Sequence, residues 1–101
     1  MSLTLRDAQY LCWKTFKKLE AKNKKQLTES EMAADLVKKV SALAETVQRT
    51  EGSSDAADKE NLGQRLSELL YAAFILAERN GVTLEDSFMQ TIDDYILGFV
   101  S

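Results

Sequence analysis

A long uncharged run, Leu69 to Ala77, lies inside a segment with helical periodicity that spans Leu62 to Gly81. Apolar residues recur at spacings of three and four across this segment, which indicates a helix. A surface helix of a small domain normally keeps one polar face, but this run keeps almost none. We therefore expect the helix to be covered by its own chain on one side and by a second copy of the chain on the other. This pattern predicts a homodimer, or a tetramer built from dimers.

Composition limits the class of protein. The 101-residue chain has no proline and four glycines, which fits one domain, residues 1–101, made of a few long helices. Thirteen basic and sixteen acidic residues give a net charge of −3, so we expect no nucleic-acid partner. The longest uncharged run is about half of what a bilayer crossing needs, and Arg6 and Asp7 interrupt any apolar leader. The expectation is a cytoplasmic protein with no membrane partner.

The residue types that are missing exclude several chemistries. The chain has no histidine and one cysteine, Cys12, so Ser-His-Asp and Cys-His nucleophile systems and an ordinary structural zinc site are excluded. Cys12 lies on an apolar helical face and is expected to be a small core residue. Carboxylates that hold a hard cation such as magnesium remain available.

Capping signals divide the chain into four helices. The predicted helices begin after Thr4, after Thr28 (running to about Thr50), between Asp55 and Asn61 (running to Asn80, with Gly81 as the glycine after the C-cap), and after Thr83. Short loops between them predict an all-α, four-helix antiparallel bundle. Gly63, inside the third helix, costs stability relative to alanine, so we expect it to mark a close contact between helices.

The first helix carries aromatic and basic residues with two interpretations each. Tyr10 and Trp13 are three residues apart, and core or interface packing is the simpler explanation. Stacking on a nucleobase is the alternative. The basic run between Lys14 and Lys25 fits a solvated helix end, and a patch that attracts phosphate is the alternative.

The second and third helices resemble those of the MazG-like, all-α nucleoside triphosphate pyrophosphohydrolases. The likeness rests on LVKKVSALAE at 36–45, on LGQRLSELLY at 62–71 and on the NGVTLED junction at 80–86, and it extends from Leu5 to Phe88. The resemblance implies a reaction, hydrolysis of a nucleoside triphosphate to monophosphate and pyrophosphate with magnesium. In this family, the ions are held by an E-E-x-x-E motif on helix two and an E-x-x-D motif on helix three.

The family's acidic residues are mostly absent at the matching positions. The adjacent glutamates fall on Lys38 and Lys39, the third falls on Ala42, and the first acid of helix three falls on Arg65. Glu68, at the aspartate position, is the one remaining candidate metal ligand. A cation repels magnesium where a ligand should be, so the ordinary catalytic site is expected to be lost. No catalytic residue is therefore assigned.

Two explanations of the replaced acids remain open, besides a wrong register in the alignment of this sequence with the family's motifs. In the first, Lys38, Lys39 and Arg65 pair with acids of the bundle surface, with Asp35–Lys39 and Arg65–Glu68 at suitable helical spacings. In the second, the cations bind an anion such as a nucleotide phosphate.

The function expected from these features is that of a divergent MazG-like domain without competent magnesium-dependent hydrolysis. It would serve as a nucleotide- or anion-binding or regulatory module, and the candidate binding residues are Lys38, Lys39, Arg65 and Trp13. One alternative is an active pyrophosphohydrolase with Mg²⁺ on a rearranged set of carboxylates assembled across a dimer, drawn from Asp35, Glu45, Glu68, Glu78, Asp86, Asp93 and Asp94. A purely structural interaction protein is the other alternative.

Overall fold

The computed structural model describes residues 2–100, with side chains described for residues 2–98. Within that range the chain is all-helical, and it contains no strand. The four helices are α1 (Leu5–Asn23), α2 (Glu29–Arg49), α3 (Ala56–Arg79) and α4 (Leu84–Val100). The all-α prediction and the four predicted helices are confirmed.

Capping boxes fix the starts of the first two helices. The Thr4 hydroxyl accepts the Asp7 N–H at 3.0 Å, and the Asp7 carboxylate accepts the Thr4 N–H at 3.2 Å. The same pair of bonds joins Thr28 and Glu31, both at 3.1 Å. Each box satisfies two backbone donors that the first helical turn leaves without partners. Both predicted starts are therefore confirmed.

A glycine ends the third helix as predicted. Gly81 has a φ of 69°, in the left-handed region that favours glycine. The Gly81 N–H donates to the Glu78 carbonyl, and the Val82 N–H donates to the Ala77 carbonyl at 2.9 Å. These two bonds form a Schellman motif, which turns the chain sharply toward α4.

Helix α3 is the centre of the packing. It packs against both α1 and α2, and α2 and α3 run antiparallel, because Arg79 at the end of α3 contacts Leu27 and Met32 at the start of α2. The buried apolar side chains among the described residues are few: Met32, Phe74, Ile75 and Ala77. The uncharged run of α3 thus supplies most of the core. This agrees with the expectation that one side of this helix is covered by other helices of the same chain.

Gly63 does not mark a close helix contact, so that prediction is wrong. A Cβ placed on Gly63 would meet nothing within 4 Å, and the residue is exposed. Gly63 lies near the start of α3, on a side that faces solvent. The helix therefore carries a glycine there without a packing reason.

A buried glutamine ties α1 to the connection between α3 and α4. The Gln9 side-chain NH₂ donates to the Glu78 carboxylate and to the Val82 carbonyl, both at 2.8 Å. The Gln9 side-chain oxygen accepts the Leu84 N–H at 3.0 Å. Gln9 is only 3% exposed, and its three bonds fix the point from which α4 leaves the other helices.

Helix α4 packs mainly on α1. Arg6 forms ion pairs with Asp86 at 3.3 Å and with Glu85 at 4.0 Å near the start of α4. The large apolar side chains of α4, such as Phe88, Tyr95 and Ile96, are mostly exposed within one chain. Its Phe99 side chain lies outside the described part. None of the helices in residues 2–100 has the length and apolarity that a bilayer crossing needs.

Candidate functional site: a cleft between α2 and α3

An open cleft of about 490 Å³ separates α2 from α3 and is closed on one side by α1. A cavity of this size is within the range of small-molecule sites. The lining residues come from α1, the α1–α2 connection, α2 and α3: Phe16, Leu27, Met32, Asp35, Lys39, Gln64, Ser67, Glu68, Tyr71, Ala72 and Ile75.

The cleft is apolar in its interior. Phe16 of α1, Met32 of α2 and Ile75 of α3 line it, and Met32 and Ile75 are buried. Small side chains on α3, Ser67 and Ala72, leave space that larger residues would fill. The result is a concave apolar surface between two packed helices, a common location for ligand sites in bundles.

The charged groups of the cleft belong to two ion pairs. Lys39 lies 3.4 Å from the Asp35 carboxylate on α2. On α3, the Glu68 carboxylate accepts from Arg65 at 3.3 Å and from Gln64 at 3.3 Å. The two helical ion pairs predicted from spacing, Asp35–Lys39 and Arg65–Glu68, are therefore confirmed.

The four candidate binding residues do not lie together. Lys39 lines the cleft, whereas Lys38 is exposed and does not line it. Arg65 reaches the cleft only through Glu68, and it lines a second cavity of about 500 Å³ with Arg49 and Glu45. The Arg65 Nε is buried and has no hydrogen-bond partner in the described part of the chain, so Glu68 satisfies only part of this guanidinium.

Trp13, the fourth candidate, lies one residue away from the cleft. Its ring stacks on Phe16 with centroids 5.9 Å apart and an angle of 27° between the ring planes. The Lys17 ammonium group lies 5.4 Å from the Trp13 ring centroid, a cation–π arrangement. Trp13 therefore supports the cleft residue Phe16 and does not itself line the cleft.

The Leu27 wall of the cleft is held by two helices. The Leu27 N–H donates to the Glu20 carboxylate at 2.9 Å, and the Leu27 carbonyl accepts from Arg79. The bond from Leu27 is the main reason that the pKa of Glu20 is lowered, and Lys17 at 3.2 Å also lowers it. This connection is thus fixed although it is not helical.

Tyr71 places a phenol in the cleft. Partial burial raises the pKa of Tyr71, and the nearby Cys12 thiol adds to the effect. The phenol therefore stays protonated at neutral pH, where it can donate a hydrogen bond. Burial also raises the pKa of Cys12, which fits the prediction that this thiol is not a reactive one.

Glu68 lies at the cleft, but a set of metal ligands is not assembled around it. Within the described residues, no group of three or more acids or cysteines is close enough to hold a metal ion. Of the seven acids in the alternative set, Asp35 and Glu68 line this cleft and Glu45 lines the second cavity.

Several cleft residues were not identified from the sequence. Phe16 lies on α1, whereas Gln64 and Tyr71 lie on α3, so their convergence depends on how these two helices pack. Small residues recur along α3, so the sequence does not single out Ser67 and Ala72 as cleft residues.

Comparison of the chain with protein-family models, curated proteins and solved structures found no significant match. The MazG-like interpretation therefore rests on the residues that carry the resemblance.

Proposed function

We propose that the chain is a divergent MazG-like domain that binds a nucleotide in the cleft between α2 and α3. It acts as a binding or regulatory module and does not hydrolyse the nucleotide through the family's magnesium site. The observation that carries this proposal is the cleft itself, in which a lysine stands at the edge of an apolar cavity of nucleotide size.

The apolar interior suits a base. Phe16 and Tyr71 provide aromatic surface, and Met32 is a polarisable side chain that adapts to a flat ring. The carboxylates of Asp35 and Glu68 can accept hydrogen bonds from exocyclic amino groups. A base with an amino group, such as adenine, cytosine or guanine, therefore fits these acceptors better than uracil or thymine does.

The charges at the cleft favour a nucleotide with few phosphates. Lys39 is the cation that lines the cleft, and it can pair with a phosphate. Asp35 and Glu68 lie in the same cleft and repel additional negative charge. A monophosphate should thus bind more tightly than a triphosphate, in contrast to a triphosphate hydrolase.

The state of Glu68 supports binding without magnesium. Its carboxylate is engaged by Arg65 and Gln64, and the matching position on α2 carries Lys39. A magnesium ion bound to Glu68 would compete with Arg65 for the carboxylate and would share the cleft with a second cation, Lys39. Both conditions oppose binding of the metal.

The proposal includes a homodimer or tetramer with α3 at the interface. Leu66, which precedes the uncharged run by one helical turn, and Leu70, which lies inside it, are each 49% exposed within one chain. A second copy of the chain would cover them.

The experiment is calorimetric titration of nucleoside mono- and triphosphates, with and without magnesium, with Trp13 fluorescence as a second readout through Phe16. Lys39→Met should weaken monophosphate binding by about 10-fold, which is the loss of one charge-assisted bond. Lys59→Met is the control, because Lys59 is exposed on α3 and does not line the cleft. Lys38→Met separates the contribution of the neighbouring lysine.

Two results would overturn the proposal. The first is that folded protein binds no nucleotide, or that Lys39→Met and Lys59→Met bind equally well. The second is magnesium-dependent release of pyrophosphate from a triphosphate, which Glu68→Ala abolishes. That outcome would favour the alternative, a pyrophosphohydrolase with a rearranged carboxylate site.

A further inference from the structure

Helix α4 exposes large apolar side chains along most of its described length. Phe88, Met89, Tyr95 and Ile96 are between 51% and 69% exposed. They recur at intervals that put them on one broad side of the helix, and Ile92 lies between them. Clustered apolar exposure of this kind marks an interaction surface.

The surface area of the chain is too large for a self-contained protein of its mass. The accessible surface is 7675 Å², whereas a monomer of 11.3 kDa should expose about 5,700 Å². The radius of gyration is 16.1 Å, against about 12.7 Å for a compact chain of this length. The excess is about 1,900 Å² per chain, or about 3,800 Å² for two chains, which lies within the 2,000–5,000 Å² that an obligate homodimer buries over both chains.

The exposed side of α4 continues onto α3. A hollow of about 320 Å³ lies between them and is lined by apolar side chains only: Leu5, Leu70, Phe74, Leu84 and Phe88. Leu66 extends this surface by one helical turn along α3. One chain therefore presents both an apolar projection, α4, and an apolar hollow beside it, which is the self-complementarity that a two-fold interface needs.

Charge favours a second copy over a lipid surface. Residues 84–100 include four acids, Glu85, Asp86, Asp93 and Asp94, and no lysine or arginine. Helices that bind anionic membranes are rich in basic residues, so α4 does not fit that role.

We propose that α4 is the main dimerisation element, and that it packs against α4 and the Leu66–Leu70 side of α3 of a second copy of this chain. This proposal specifies the interface of the oligomer proposed above. The interface is centred on α4, and α3 contributes to it. It does not depend on nucleotide binding in the cleft.

Sedimentation velocity and light scattering of the wild-type chain between 1 and 100 μM test the proposal. The expected result is a dimer that dissociates only at the lowest concentrations. Ile96→Glu places a charge in both halves of the interface, so it should weaken the dimer by at least about 100-fold. Val37→Glu is the matched control, because Val37 is 65% exposed on α2 and lies outside the surface.

Each outcome is decisive. A wild-type monomer at 100 μM would overturn the proposal and would leave this surface to a different protein. A dimer that survives Ile96→Glu would place the interface elsewhere. Circular dichroism shows whether the Ile96→Glu variant keeps its helices. If it does not, the wild-type mass still tests the dimer, because that mass is measured independently of any variant. The Phe88→Ser variant would then be used instead of Ile96→Glu. We expect this variant to lose the dimer, and a dimer that persists would contradict the proposal.

Discussion

Replacement of Gln9 by methionine should destabilise the fold more than any other single change of a polar side chain in α1. Methionine has nearly the same length and fills the same space, so the substitution removes hydrogen bonds without leaving a large cavity. Three bonds would be lost: to the Glu78 carboxylate, to the Val82 carbonyl and from the Leu84 N–H.

The magnitude follows from the partners that remain. A neutral hydrogen bond contributes about 1 kcal/mol net, and one to a charged group about 1.5–3 kcal/mol. Glu78 is half-buried and Val82 is 41% exposed, so water can replace part of the lost bonding. We therefore expect the free energy of unfolding to fall by about 2 kcal/mol. For a domain of this size, that corresponds to a decrease of about 8–16 °C in Tm.

The assay is thermal and urea unfolding followed by circular dichroism at one protein concentration, because an oligomer has a concentration-dependent Tm. Gln48→Met is the control, since Gln48 is exposed on α2, and it should change the free energy by less than about 0.5 kcal/mol. If Gln9→Met were no more destabilising than Gln48→Met, the three hydrogen bonds of Gln9 would not hold α4 in place.

Three further predictions concern single residues. Gly63→Ala should stabilise the chain by about 0.5–1 kcal/mol in urea unfolding, because the site is exposed, helical and open, and a decrease would mean a contact there. The pKa of Glu20 is lowered in the folded chain, so its charged carboxylate stabilises the fold above the ordinary pKa of 4.5, and this stabilisation is lost as the pH falls through the lower pKa of the folded chain. Glu20→Gln should therefore flatten the decline in the free energy of unfolding below about pH 4.5. The raised pKa of Cys12 predicts slower reaction with a disulfide reagent at pH 8 than in the urea-unfolded chain, and equal rates would contradict it.

The helix boundaries were predictable from the sequence because caps are local. Thr28 and Glu31 are three residues apart, and their reciprocal bonds need no other part of the chain. The same holds for Gly81, whose positive φ ends α3, and for the Asp35–Lys39 pair on one helix face. Interactions of this range are encoded within a few residues.

Features that depend on how helices pack were not predictable in the same way. Gly63 looks the same in the sequence whether it faces a neighbour or solvent. The cleft requires Phe16 and Tyr71, from helices far apart in the chain, to meet on one side of α3. The exposure of α4 likewise follows from the direction that α4 takes from the α3–α4 connection, where Gln9 is bonded. No spacing pattern in the sequence specifies that direction.

The Leu27 connection has a consequence for dynamics. Its N–H and its carbonyl are bound by side chains of α1 and α3, so the amide hydrogen is exposed to deuterium exchange only when these bonds open. Exchange at Leu27 should therefore be slower than at Gln26, its neighbour in the same loop. Because these bonds hold this wall of the cleft before a ligand binds, the binding site is preformed. Association should therefore follow a single exponential phase without a slower closing step.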